Sequence, residues 1–228
     1  MRTLLSALVA ASLLVTGCGG DDSASPEAAG ERFHDPALSG EERVALVSEW
    51  AQERNLLTGQ EVVVAFGESA TTVTDAESSE VSMDANPWRL GFRGPFPQEE
   101  VVMDAGAGYV FKREGDSRNV VTHVSEFVTR GPEIAEAYAR IEAGERWRNT
   151  SGERYDPAPI GTDAFAYETD GGSGALDRLV VVNTGDSLVV IVASAASPDS
   201  PDADLTEGEN LTREQVDNVV MAAVEKLR

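Results

Sequence analysis

The side chains able to do covalent or acid–base chemistry are few: one thiol, Cys18, and two imidazoles, His34 and His123, set against forty carboxylates. Nucleophilic catalysis needs a base held beside the nucleophile. His34 closes a polar N-terminal stretch, and His123 falls in the middle of a β-branched run, where an ordinary core or surface histidine is expected. Gly171-Gly172-Ser173-Gly174 lacks the spacing of a nucleophile elbow. Zinc would require several His or Cys ligands at close spacing, which this chain does not supply. The acidic stretch Asp202, Asp204, Thr206, Glu207 and Glu209 is dense enough for calcium, but Gly208 falls one place late for an EF-hand and Arg213 occupies position twelve. It reads as a solvated acidic loop. Pairs of carboxylates carry no weight among forty, and no Gly-rich phosphate motif follows a strand. No catalytic group, cofactor or metal is therefore expected.

Recognition is a different matter. Trp88-Arg89-Leu90-Gly91-Phe92-Arg93-Gly94-Pro95-Phe96-Pro97 gathers one of three tryptophans, two of seven phenylalanines and two arginines into ten residues of an acidic chain. Aromatic rings with arginines are the usual anchors of binding surfaces. Trp88, Arg89, Phe92 and Arg93 are thus candidates for contacting a ligand or partner. The alternative is a satellite apolar cluster under a long loop, its arginines answering nearby carboxylates.

Cys18 takes its meaning from what precedes it. Arg2, an apolar run from Leu4 to Val15 and the small Gly17 form a secretory signal, too short to span a membrane as a mature helix. Val15-Thr16-Gly17-Cys18 resembles the lipobox of bacterial lipoproteins. That resemblance implies cleavage before Cys18, acylation (palmitate or a similar chain) of its thiol, and a protein held by lipid on the extracytoplasmic face of the cell membrane. Residues 1–17 are then the signal, 18–35 a small, polar, acidic tether unable to bury apolar surface, and 36–228 one folded domain.

The net charge is −22, and loss of Arg2 makes it one unit more negative. Such a surface repels phosphate backbones, so nucleic acid is not an expected partner, and it repels anionic head groups. The membrane must be reached through the N-terminal lipid, and a second acyl chain is needed for stable attachment. A lone cysteine also excludes an intramolecular disulfide, which leaves a 41% hydrophobic composition to build the core.

The elements follow from pattern. Ser39 stands three residues before Glu42, a capping box opening a helix that ends near Asn55. Glu61 to Phe66, a β-branched run, predicts a short strand. Gly67 to Asp84 reads as a loop with some irregular strand. Strands are expected over Tyr109–Lys112 and Asn119–Val128, with His123 and Phe127 sharing one face and Val120, Val124 and Val128 the other. Gly131-Pro132 starts a helix carrying Ile134, Tyr138 and Ile141. Arg148 to Pro159 is a polar connection. A short strand at Ala164–Tyr167 precedes a loop at 171–174. Asn183-Thr184-Gly185-Asp186 then joins two Val-rich strands into a hairpin, apolar on both faces and hence central in a sheet. Thr212 and Gln215 cap a last helix whose apolar stripe (Val216, Val219, Val220, Ala223, Val224, Leu227) must dock on that sheet.

This order, with Trp147, Ile160-Gly161-Thr162-Asp163-Ala164-Phe165 and the opening Asn55-Leu56-Leu57-Thr58-Gly59-Gln60-Glu61-Val62, resembles the extracellular sensor domain of the mycobacterial PknH-type protein kinases. It is similar as well to the related actinobacterial lipoproteins, and the likeness extends over about residues 50–228. The resemblance implies a twisted antiparallel sheet with a cleft. Members of the family carry a cysteine just after the tryptophan, whereas Arg148 and Asn149 stand there in this chain. The expectation is an α+β fold, a mostly antiparallel sheet of five or six strands with about three packed helices. It would serve as a non-catalytic ligand-binding or sensing lipoprotein, or alternatively as a structural one that meets an envelope protein.

Overall fold

Three capping boxes set the helix starts. The computed structural model describes residues 35–67, 72–80, 103–112, 120–143, 153–161, 163–172, 175–196, 205 and 210–228. Helix α1 is Gly40–Glu53, where the Ser39 hydroxyl accepts the Glu42 N–H and the Glu42 carboxylate takes the Ser39 N–H at 2.8 Å. It packs Val47, Trp50 and Ala51 inward and stops at Asn55, which adopts φ 57°. Helix α2 is Gly59–Phe66, capped in the same reciprocal way by Thr58 and Glu61.

Glu61–Phe66 is therefore helix and not strand. Its β-branched residues suggest a pleated surface, but Thr58 satisfies the first orphan N–H groups of a helix, and Val62, Val63 and Phe66 then share its buried side. Gly59 opens this helix against the Tyr109 ring. A Cβ there would lie 3.2 Å from two ring carbons, so any larger residue would have to push the ring back by a few tenths of an ångström.

The strands are β1 Thr72–Glu80, β2 Ala105–Lys112, β3 Val121–Arg130, β4 Glu153–Tyr155, β5 Asp163–Gly172, β6 Ala175–Asn183 and β7 Ser187–Ala196. They form one antiparallel sheet in the order β1-β2-β3-β7-β6-β5-β4. Seven strands exceed the five or six expected because both edges come from polar sequence. β1 lies in the stretch read as a loop with some irregular strand, and β4 in the polar connection. An edge strand has one unpaired side, so its pattern is weak. β5 runs past the expected Ala164–Tyr167 into Gly171 and Gly172, with an irregular register between Asp170 and Gly172.

Other expectations hold. The hairpin at Asn183–Asp186 joins β6 to β7, and β7 is the middle strand, buried along nearly its whole length. Helix α3 is Ile134–Ala143, entered through Gly131 at φ 120°. Helix α4 is Arg213–Lys226, capped by Thr212 and Gln215, with Val216, Val219, Val220, Ala223 and Val224 buried.

Alternation divides the core by face. Val124 and Val128 of β3 with Val189, Ile191, Ala193 and Ala195 of β7 pack with α1, α2 and α4. Phe127, Val181, Leu188, Val190 and Val192 pack with α3 on the other side. There Tyr138 meets Phe165 edge-on at 5.3 Å, and Phe165 meets Tyr167 at 5.9 Å.

Candidate functional site

Cys18, Trp88, Arg89, Phe92 and Arg93, the residues singled out by the sequence, lie outside the described residues, as do His34, Trp147 and the carboxylates of the acidic loop. His123 is described. It stands on β3 between Val110 of β2 and Ser194 of β7, and burial lowers its pKa, favouring the neutral ring. Among the described residues no group of three His, Cys, Asp or Glu side chains is placed to hold a metal.

What the fold does build is a groove of about 420 Å³ between α2 and α4. Gln60, Glu61, Val64 and Ala65 line it from α2, and Ala222, Glu225 and Lys226 from α4, with Leu57 of the α1–α2 junction completing it. Val64 is 69% exposed and Met221, on α4 beside Ala222, is 43% exposed. These helices meet through small residues, Ala65 and Ala222, which leave space where larger side chains would fill it. A concave, mostly apolar surface of this volume with a few polar groups is the ordinary form of a small-molecule site.

Charge sits at one end of the groove. The Lys226 ammonium bonds to the Glu61 carboxylate, linking α4 to α2. Burial works to raise the pKa of Glu61, but hydrogen bonds from Lys226 and Thr58, with the Lys226 charge, together hold it below the ordinary carboxylate range. Glu61 thus serves both as helix cap and as ion-pair partner.

Behind Leu57 lies the most unusual group of the chain. Glu126 of β3 is 2% exposed and points into the helix-covered core between Ala107 of β2 and Ile191 of β7. Its Oε2 accepts the Leu57 N–H at 2.7 Å, and its Oε1 has no hydrogen-bond partner among the described residues. The Leu57 carbonyl accepts the Tyr109 hydroxyl at 3.0 Å, so both backbone polar groups of this groove residue are held by side chains rising from the sheet. The junction is fixed further by Arg130, whose guanidinium donates to the Arg54 carbonyl at 3.0 Å, and by the Ser48 hydroxyl, which accepts the Gly59 N–H at 3.3 Å. Burial pushes the Glu126 pKa up to about 7 despite the Leu57 N–H and the charges of Lys226 and Arg130; Glu61 adds to the rise.

A second polar cluster lies under the first turn of α4. Arg178 of β6, 4% exposed, pairs at 2.6 Å with Glu168, directly opposite on β5, and donates to the Leu211 carbonyl. Arg213 reaches Glu168 at 3.4 Å and stacks 4.4 Å from the Tyr155 ring centroid, while Asp217 accepts the Ala158 N–H at 3.1 Å. Burial pushes Tyr155 up to about 12 and raises Asp217. This network fastens α4 across β4, β5 and β6, with Tyr155 Oη, Arg178 Nε and Asp217 Oδ1 left without a hydrogen-bond partner among the described residues.

The sequence reading missed both the groove and Glu126, although signals for each existed. Thr58-Gly59-Gln60-Glu61 has the capping-box spacing that located α1 and α4. Glu126 is the one acidic residue on the side of β3 that carries Val124 and Val128. A charge on the core face of a strand announces a special environment.

No family model and no curated protein matches the chain. Among solved structures it is similar to the extracellular domain of PknH from Mycobacterium tuberculosis, with 12% sequence identity over 77% of this chain and 94% of that one, at a TM-score of 0.41. The functional reading rests on this chain's own residues.

Proposed function

We propose that this chain is a lipid-anchored, extracytoplasmic binding domain, non-catalytic, that takes a small, largely apolar ligand between α2 and α4. The observation that carries the binding reading is the 420 Å³ groove, with Leu57, Val64, Ala65 and Ala222 as its apolar wall and the Glu61–Lys226 pair at its edge. Support for the anchor comes from Cys18 behind its signal-like run. A net charge of −22 supports a neutral or cationic ligand over an anionic one, and nucleic acid is disfavoured for the same reason.

A direct test uses N-phenyl-1-naphthylamine, a neutral apolar dye, with the full chain carrying Cys18→Ser. Saturable binding is expected, weakened about tenfold or more by Ala222→Trp, which fills the groove from its wall, with the melting temperature little changed. Binding that ignores Ala222→Trp contradicts the groove reading. It would favour the second reading, in which exposed Val64 and Met221 meet an envelope protein. In the native host, Cys18→Ser should release the protein from the membrane fraction while leaving its melting unchanged. Retention of that variant on the membrane would overturn the anchor.

A further inference from the structure

We propose that Glu126 is a proton-controlled latch on the α1–α2 junction: protonated, it holds Leu57 against the sheet, and ionised, it lets the junction open and α2 move from α4, changing the groove. That the groove binds a ligand is the reading given above. The latch itself is argued from the junction alone.

The geometry concentrates the consequences of one proton at one peptide. A neutral carboxyl is the less costly form where Glu126 sits: Oε2 accepts the Leu57 N–H, the flanking Ala107 and Ile191 are apolar, and only Oε1 goes without a hydrogen bond among the described residues. A carboxylate is stable in a buried place only with several donors or a close cation, and a single N–H falls short of that.

The charged groups facing it are already engaged. From α4, Lys226 is bonded to Glu61; from α2, Glu61 is itself an anion and opposes a second negative charge. On β3, Arg130 is turned to the Arg54 carbonyl, and Arg54, at the α1 C-cap, donates to the Trp50 carbonyl at 3.3 Å. From β2, Tyr109 donates its hydroxyl to the Leu57 carbonyl, and burial and the two carboxylates keep that phenol protonated far above the ordinary range. Lys226 and Arg130 favour a new anion only through their charge, neither bonds to Glu126, and Glu61 opposes it.

Water can hydrate the anion. The route by which water arrives is the junction, where Arg54–Thr58 separates two helices and α2 is only eight residues long. Short elements are among the most easily opened in a fold. The buried side of α2 packs Val62, Val63 and Phe66, and the junction before it is tied by Glu126 and Tyr109 to Leu57, by Ser48 to Gly59 and by Arg130 to the Arg54 carbonyl. Ionisation therefore favours a state in which Leu57 leaves the sheet and Glu126 is hydrated. Since Leu57 lines the groove, the same step alters it.

Amide hydrogen exchange on the full chain, with Cys18→Ser and no ligand, reads the latch. Between pH 6 and 8, exchange at Leu57 and Val62, normalised for the intrinsic rise with pH, is expected to accelerate about tenfold with a midpoint near 7, while amides in β7 do not. Glu126→Gln, which keeps the acceptor and cannot ionise, should abolish the acceleration. Lys226→Gln, which removes a nearby positive charge and leaves Glu126 in place, should move the midpoint upward. This second variant decides the matter even where Glu126→Gln does not fold. Normalised exchange at Leu57 that stays flat with pH in the unsubstituted junction, or that rises equally in Glu126→Gln, overturns the latch. Dye binding lost on Ala222→Trp alongside flat exchange would refute the latch and keep the groove. The reverse pair of results would refute the groove and keep the latch.

Discussion

The two faces of the sheet are built from the same strands and solve different problems. On the α3 face, Phe127, Phe165, Leu179, Val181, Leu188, Val190 and Val192 pack with Ile134 and Ile141. Its buried polar groups are hydroxyls such as Ser125 and Thr129, and it carries no buried charge among the described residues. The opposite face is covered by α1, α2 and α4 and holds both buried charged residues, Glu126 and Arg178. It also carries the groove. Arg178 is answered by Glu168 and the Leu211 carbonyl, whereas Glu126 is answered by one backbone N–H. The α3 face is mainly hydrocarbon, with His123 as a half-buried titrating group held toward its neutral form by burial. The other mixes burial with ionisable groups at the short junction that joins α1 to α2, which is where a proton or a ligand has leverage.

The contrast can be broken most forcefully on the α3 face. Phe165→Ala should destabilise the protein by about 3–5 kcal/mol, since a fully buried ring meeting Tyr138 and Tyr167 leaves a cavity that the sheet cannot close. Chemical denaturation at several pH values checks it. The loss should be nearly the same from pH 5 to 9, because Tyr138 and Arg154, which meet the ring, are both raised further above that range. A loss that changes steeply with pH would mean that the two faces are electrostatically coupled and that the comparison fails.

Legibility followed the same division. The apolar hairpin, α4 and α1 were readable because periodicity and caps agreed with burial: Val189, Val190, Ile191 and Val192 are buried on both faces, as their composition requires. The edges were not, because β1 and β4 are polar strands whose order comes from pairing with β2 and β5. Local propensity misled at α2, where Val62, Val63 and Val64 favour a strand until the Thr58 cap and the packing against α4 decide for helix. The site was the least readable part. A groove depends on Ala65 and Ala222, distant in sequence, becoming neighbours, and the perturbed Glu126 depends on Leu57 lying over it. Neither relation leaves a local pattern. Trp88, Arg89, Phe92 and Arg93 lie outside the described residues and keep their standing as sequence-level candidates.

The central claim is that the three-helix face contains a carboxyl that keeps its proton well above the ordinary carboxylate range, to about pH 7. Below about pH 4.5 Glu126 is protonated in folded and unfolded chains alike. Between 4.5 and about 7 the folded protein keeps a proton that the unfolded chain gives up, so stability falls as pH rises, and above 7 the loss is complete. His123 works in the opposite sense at acidic pH, its lowered pKa adding stability as pH rises, so the native chain alone would blur the effect. The unfolding free energy of Glu126→Gln minus that of the native side chain, followed by urea denaturation from pH 5 to 9, isolates it. We predict a difference that grows with pH and levels off above 7 in favour of Gln, on the order of 3 kcal/mol for a shift of this size. A difference that stays constant across that range, or that favours glutamate at pH 8, would contradict the account.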